Sequence, residues 1–165
     1  MINYRIDFQY DGTDFYGSQK QNYKRTVQGV LLKYLKDIFQ DISTLTMSGR
    51  TDRYVHANHQ VLNFHTTQFI DNHKLVYALN NLLPNDILVT DASVVDMIFD
   101  ARRSAISREY LYVFSCELIP VYLKNYVSSI SHNFNLSIAQ ILFDYLVGEH
   151  DFKLFCKTGS QPLTT

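Results

Sequence analysis

From Val27 to Phe39 apolar residues recur at positions 27, 30, 31, 34, 35, 38 and 39. That is the stripe of a helix that must bury one face, and Thr26 just before it carries a hydroxyl suited to cap the first turn. Upstream, the stretch NYRIDFQY sets Tyr4, Ile6, Phe8 and Tyr10 on one side and Arg5, Asp7 and Gln9 on the other, the alternation of a half-buried strand. A strand feeding such a helix through the turn-rich loop YDGTDFYGSQ requires a sheet with helices packed on it.

The same two periods recur downstream. STLTM (43–47) and QVLNFH (60–65) are strand candidates. Asn72 opens a second helix with Leu75, Val76, Leu79 and Leu82 on one stripe, ended by Pro84, and DILVTDASVV (86–95) returns as a strand. The order β-α-β-β-α-β over residues 1–100 is that of a ferredoxin-like unit, an order that does not by itself assign a function. Residues 101–165 then begin a second α+β unit. REYLYVFSC (108–116) reads as a strand, LSIAQILFDYLVG (136–148) as a helix capped by Ser137 and closed by Gly148, and HDFKLF (150–155) as a third element. The class is α+β, with the second unit incomplete and sharing a largely antiparallel sheet with the first.

A content of 46% hydrophobic residues in 165 describes a folded chain. No apolar run approaches the ~18 residues of a membrane-crossing helix, and the opening MINYRIDFQY does not read as a signal peptide. Cys116 and Cys156 form neither a disulfide framework nor a metal spacing, and read as reduced thiols of a cytosolic protein. The net charge of −1 supplies no global attraction to nucleic acid, so any such binding must rest on local patches.

SGRTDRYVH (48–56) concentrates the candidate chemistry. On spacing alone Asp52 reads as a turn residue whose carboxylate accepts nearby backbone N–H groups. The functional alternative is a carboxylate in a cleft, kept ionised by Arg50 and available as nucleophile or base. His56, His59 and His65 invite a metal reading, but no Cys or Glu completes the set and no HExxH-type signature is present; solvated or core histidines are the simpler account. In FDARRSAISREYLYVF (99–114), Tyr110, Tyr112 and Phe114 alternate as a core face would, yet Arg102, Arg103 and Arg108 crowd around them. Arginine beside exposed aromatics can hold an unstacked base over a phosphate track. Lys20, Lys24 and Arg25 form a second basic patch in the loop before the first helix, where a solvated loop is the bland alternative.

YDGTDFYGSQKQ, RTVQGVL, GRTDRYVHANHQVLNFH, LNNLLPNDI, FDARRSAISREYLY and LVGEHDF occur in this order from Tyr10 to Phe152. Together they resemble the tRNA pseudouridine synthase A family. The resemblance implies a pseudouridine synthase fold and isomerisation of uridine in the tRNA anticodon stem-loop, with no metal or organic cofactor. It implies Asp52 as the catalytic carboxylate and Arg50 as the residue filling the space of the flipped base. Tyr110 would stack on the uracil, with Arg102 and Arg108 beside it at the substrate, and Lys20, Lys24 and Arg25 would lie on the RNA. It further implies a cytoplasmic homodimer with tRNA as partner and no membrane association. This chain has Arg53-Tyr54 where the family pattern has Ala-Gly after the aspartate, and Ser18 where it has Trp. Family members continue beyond the His-Asp-Phe segment, so the chain is expected to be truncated or to complete its sheet by self-association. An RNA-binding remnant without activity is the competing reading, and a metal-dependent hydrolase using His56, His59 and Asp52 a third.

Overall fold

A computed structural model describes residues 1–42 and 44–155. Cys156, Ser43 and the closing residues after Phe155 lie outside the described residues. Contacts cluster into two units, one spanning Met1–Leu111 and a second beginning at Tyr112.

The first unit runs β1 (Ile2–Tyr10), α1 (Val27–Ile38), β2 (Thr46–Met47), β3 (Ala57–Thr66), α2 (Asn72–Leu82) and β4 (Ile87–Val95). The four strands make one antiparallel sheet in the order β2-β3-β1-β4. The even positions Tyr4, Ile6 and Phe8 of β1, and Leu62 and Phe64 of β3, are fully buried with Leu31 and Leu35 of α1 and Leu75 and Leu79 of α2. The strand and helix periods thus meet in one apolar layer. Thr26 caps α1, its hydroxyl accepting from Gly29 N–H at 3.3 Å. Asp71, one residue before Asn72, caps α2 by accepting from His73 and Lys74 N–H.

The opposite face of the sheet is covered in part by the chain leaving β4. Asn3 and Asn63, both almost fully buried on odd positions, bond to each other, Asn63 Nδ2 donating to Asn3 Oδ1 at 3.0 Å. Asn3 also donates to the carbonyls of Asp96 and Phe99, and Asn63 accepts from Ala101 N–H at 2.9 Å. Two side-chain amides thereby supply the partners that residues 96–101 lack for want of a neighbouring strand, and Arg102 follows directly.

Several expectations are corrected. In the 43–47 segment, of which Ser43 lies outside the described residues, Thr46–Met47 pair with β3, while the Leu45 carbonyl is taken by the side chain of Gln28. β3 is longer than 60–65, because β1 offers partners from Ile2 to Tyr10. The expected strand 108–116 is reduced to β5 (Phe114–Ser115), which pairs in parallel with β6 (Ser128–Ser129) in a separate two-stranded sheet. Residues 105–112 pair with no strand among the described residues and stay irregular, while the Val113 carbonyl accepts from Ser128 N–H at 2.9 Å. The shared sheet is therefore not formed among the described residues. In the second unit α3 (Leu136–Asp144) is capped by Asn135, which accepts from Ile138 N–H at 3.0 Å, rather than by Ser137. It ends before Gly148, whose φ of +114° turns the chain four residues later, and 150–155 contributes one 3-10 turn, Lys153–Phe155.

Candidate active site

Residues 48–56 connect β2 to β3, and their conformation follows from which of them are held. Ser48 N–H continues the ladder by donating to the Val61 carbonyl at 2.9 Å, and its hydroxyl donates to Gln60 Oε1. Gln60 is buried and its Nε2 donates to the Gly49 carbonyl. Thr51 is held from two sides. Its N–H donates to Ser18 Oγ at 2.7 Å and its carbonyl accepts from Ser18 N–H at 3.0 Å, while its hydroxyl shares a 2.8 Å hydrogen bond with Tyr10. Burial pushes the Tyr10 phenol up, against the bonds from Thr51 and Gln60, so at neutral pH it stays a protonated hydroxyl.

With 48, 49 and 51 pinned, Arg50 and Asp52 are left on the exposed side of the segment. The Asp52 carboxylate has no hydrogen bond and no ion pair among the described residues, with Arg50 or any other group. The turn at Asp52 is closed by its backbone, Val55 N–H donating to the Asp52 carbonyl at 3.3 Å. Neither the turn-residue reading of that side chain nor an ion pair with Arg50 describes it.

Two glycines let loop 11–18 lie against this segment. A Cβ on Gly12 would meet the Val55 carbonyl oxygen at 2.1 Å, and one on Gly17, where φ is +83°, would meet the Thr51 oxygen at 2.8 Å. Gly12 N–H donates to His56 Nδ1 at 3.1 Å, so His56 serves the contact between the loops. His59 lies on β3 with its Nε2 at 3.8 Å from Asp7. Among the described residues no group of three His, Cys, Asp or Glu is placed to hold a metal ion, and no helix is long and apolar enough to cross a membrane.

A cavity of about 240 Å³ opens beside the segment, with Ser18, Gln19, Gln28, Gly49, Arg50 and Arg102 in its wall. Arg50 and Arg102 are thus brought to one cleft although fifty-odd positions separate them. Arg108 fastens that side, its Nη2 donating to the Ser48 carbonyl at 2.7 Å and to the Arg102 carbonyl at 3.2 Å. A larger cavity of about 530 Å³ between α2 and β4 holds none of the expected site residues. Its Asn80 instead bonds both backbone groups of Val89.

The other expected residues are placed differently. Tyr110 is 80% exposed on the irregular segment and is not in the wall of the Arg50 cleft. Arg25 is engaged within the protein, paired with both oxygens of Asp86 at 2.7 and 2.9 Å and lying 4.0 Å over the Phe15 ring. Lys20 donates only its backbone N–H, to Gln28 Oε1. Lys24 lies 4.4 Å over the Tyr16 ring, which also carries Arg53 at 4.2 Å. Sequence reasoning missed Tyr10, Gln28, Gln60 and Asn63 as supports of the site. Gln60 and Asn63 did carry a signal, since polar side chains stand where QVLNFH would otherwise be apolar.

Asp52 itself is not in the wall of the cleft; the arrangement offers a free carboxylate two residues along the held segment from Arg50, which lines the cleft with Arg102. A family model described as tRNA pseudouridine synthase matches residues 8–102, which include Arg50, Asp52 and Arg102. The tRNA pseudouridine synthase A of Caldicellulosiruptor saccharolyticus is 42% identical over 98% of this chain and 66% of its own length. That of Caldicellulosiruptor bescii is 38% identical over 100% and 68%, and that of Dictyoglomus turgidum 40% over 99% and 68%. The chain therefore spans about two thirds of the length of the curated relatives it matches. On the family match and these identities, it belongs to the tRNA pseudouridine synthase family.

Proposed function

We propose that the chain acts on tRNA as a pseudouridine synthase, converting uridine of the anticodon stem-loop to pseudouridine with Asp52 as its essential carboxylate. The carrying observation is the held segment Ser48–Gly49–Thr51, which leaves the Asp52 carboxylate unpaired two residues from Arg50, itself in the wall of a cleft with Arg102. In the reaction the C1′–N1 bond breaks, the uracil turns, and C1′ bonds to C5. C5 loses its proton while N1 gains one, so no oxidant or group donor is needed. A target base inside a stem must first leave the stack. Arg50 is suited to occupy the vacated space, Asp52 to act on the sugar, and Arg102 to meet phosphate.

Arg108, bonded to Ser48 and Arg102, acts in this reading as a positioning residue for the cleft. Tyr110 would stack on the uracil once residues 105–113 close over the RNA. Lys24 and Lys20 would face the backbone, whereas Arg25 is better read as a brace through Asp86. The strand order and the two helical crossovers support naming residues 1–100 a ferredoxin-like unit, with 101–165 opening a second. Homodimer formation and a cytoplasmic location complete the proposal.

Asp52→Asn keeps the side chain's size and removes its charge. It is expected to abolish pseudouridine formation, read as tritium release from C5-labelled stem-loop, while RNA binding persists. Normal turnover by Asp52→Asn would overturn the assignment. The competing reading, RNA binding without isomerisation, is favoured by the many exposed apolar residues of the second unit, such as Leu142, Phe143 and Val147. It predicts binding with no tritium release by the unaltered chain.

A further inference from the structure

Next to Asp52 the chain places two residues that none of the roles above uses. Arg53 lies 4.2 Å over the Tyr16 ring and 4.3 Å over the Tyr54 ring, and Lys24 lies 4.4 Å over Tyr16. Lys24, Tyr16, Arg53 and Tyr54 therefore form a continuous cation–aromatic series across the loops 16–24 and 53–54. Neither Arg53 nor Lys24 has a carboxylate partner among the described residues. Tyr54 is 54% exposed, with Arg53 over its ring and no other ring or cation contact among the described residues. Its backbone is left-handed, with φ +68°. A bulky residue in that region is strained, and such strain concentrates at functional sites. The core gains nothing from the ring, since Tyr54 and Arg53 are both exposed.

We propose that Tyr54, backed by Arg53 and Tyr16, is a stacking platform for an unpaired base next to the target uridine, with Lys24 and the Arg53 N–H edge on the adjoining phosphates. The proposal rests on the tRNA-modifying reading above. An aromatic face with a guanidinium layered on it accepts any base, because every base has a π-face. The platform begins one residue after Asp52, so the base it takes neighbours the one undergoing isomerisation. A stacked neighbour would hold the strand open while the target is extruded. Arg53 and Tyr54 replace the family pattern's Ala-Gly, so the platform would be a property of this chain.

The test measures binding of fluorescently labelled anticodon stem-loop RNA to the full chain and to Tyr54→Leu, Tyr54→Phe and Arg53→Ala. Tyr54→Leu keeps an apolar side chain without the π-face and is expected to weaken binding about tenfold, the usual worth of one base–aromatic stack. Tyr54→Phe is expected to bind as the unaltered chain does, and Arg53→Ala to fall between them. An RNA abasic at the nucleotide beside the target should bind about tenfold more weakly to the unaltered chain and lose nothing further with Tyr54→Leu. Equal binding by Tyr54→Leu and the unaltered chain, or an undiminished Tyr54→Leu effect on abasic RNA, would overturn the platform while leaving Asp52 untouched. No RNA binding by any variant would overturn the platform and the tRNA reading together.

Discussion

Tyr54 holds φ at +68° where glycine would rest without cost. The left-handed region costs an L-residue roughly 1–2 kcal/mol, and its exposed contact with Arg53 returns only about 0.5 kcal/mol. Tyr54→Gly should therefore stabilise the chain by about 1 kcal/mol, read as a higher midpoint in urea. In the same variant RNA binding should weaken, because the platform is gone. A destabilised Tyr54→Gly would mean that the loop does not need the left-handed turn. Position 54 shows what a local rule conveys. Tyr54 takes the left-handed turn that glycine would favour, because Thr51 and Val55 on either side are fixed by Ser18, Tyr10 and the Asp52 carbonyl. Spacing alone read Asp52 as a turn residue, and only the family resemblance made it the candidate carboxylate. Its freedom from hydrogen bonds was not legible in the sequence, since that depends on partners up to sixty residues away that bind 48, 49 and 51 instead.

At the scale of elements, the four strands and two helices of the first unit follow from periodicity, because each buries one face against the others. The failures occur where an element needs a partner that local sequence does not name. Residues 108–112 have the alternation of a strand and pair with no strand among the described residues. Residues 96–101 have no strand pattern and are nonetheless held, by the amides of Asn3 and Asn63. Asn63→Ala leaves the Ala101 N–H and the Asn3 oxygen without partners in a buried place, a cost of about 2–3 kcal/mol. Urea unfolding should show that loss. Asn3→Ala and Asn63→Ala together should cost less than the sum of the two, because the amides share one network. Strict additivity would show that they act separately and that Arg102 is held by other means.

For the whole molecule, a net charge of −1 offers RNA no overall attraction, so affinity must come from the cluster of Lys24, Arg50, Arg53 and Arg102, which lack carboxylate partners among the described residues. If roughly three phosphates are neutralised, a fourfold rise in salt should raise the stem-loop Kd about 20- to 40-fold, measured by anisotropy titration. A flat salt response would remove these cations from the interface. The sequence by itself determined the β-α-β-β-α-β order of the first unit and the buried faces of its strands and helices, because these follow from side-chain period, whereas Asp52 became the candidate carboxylate only through the family resemblance. Only the tertiary structure decided which cations are free. Arg25 is consumed by Asp86, Arg108 by two backbone carbonyls, and Arg53 lies between two tyrosine rings. A charge acts according to what lies within a few ångströms of it, and those neighbours arrive from distant parts of the chain.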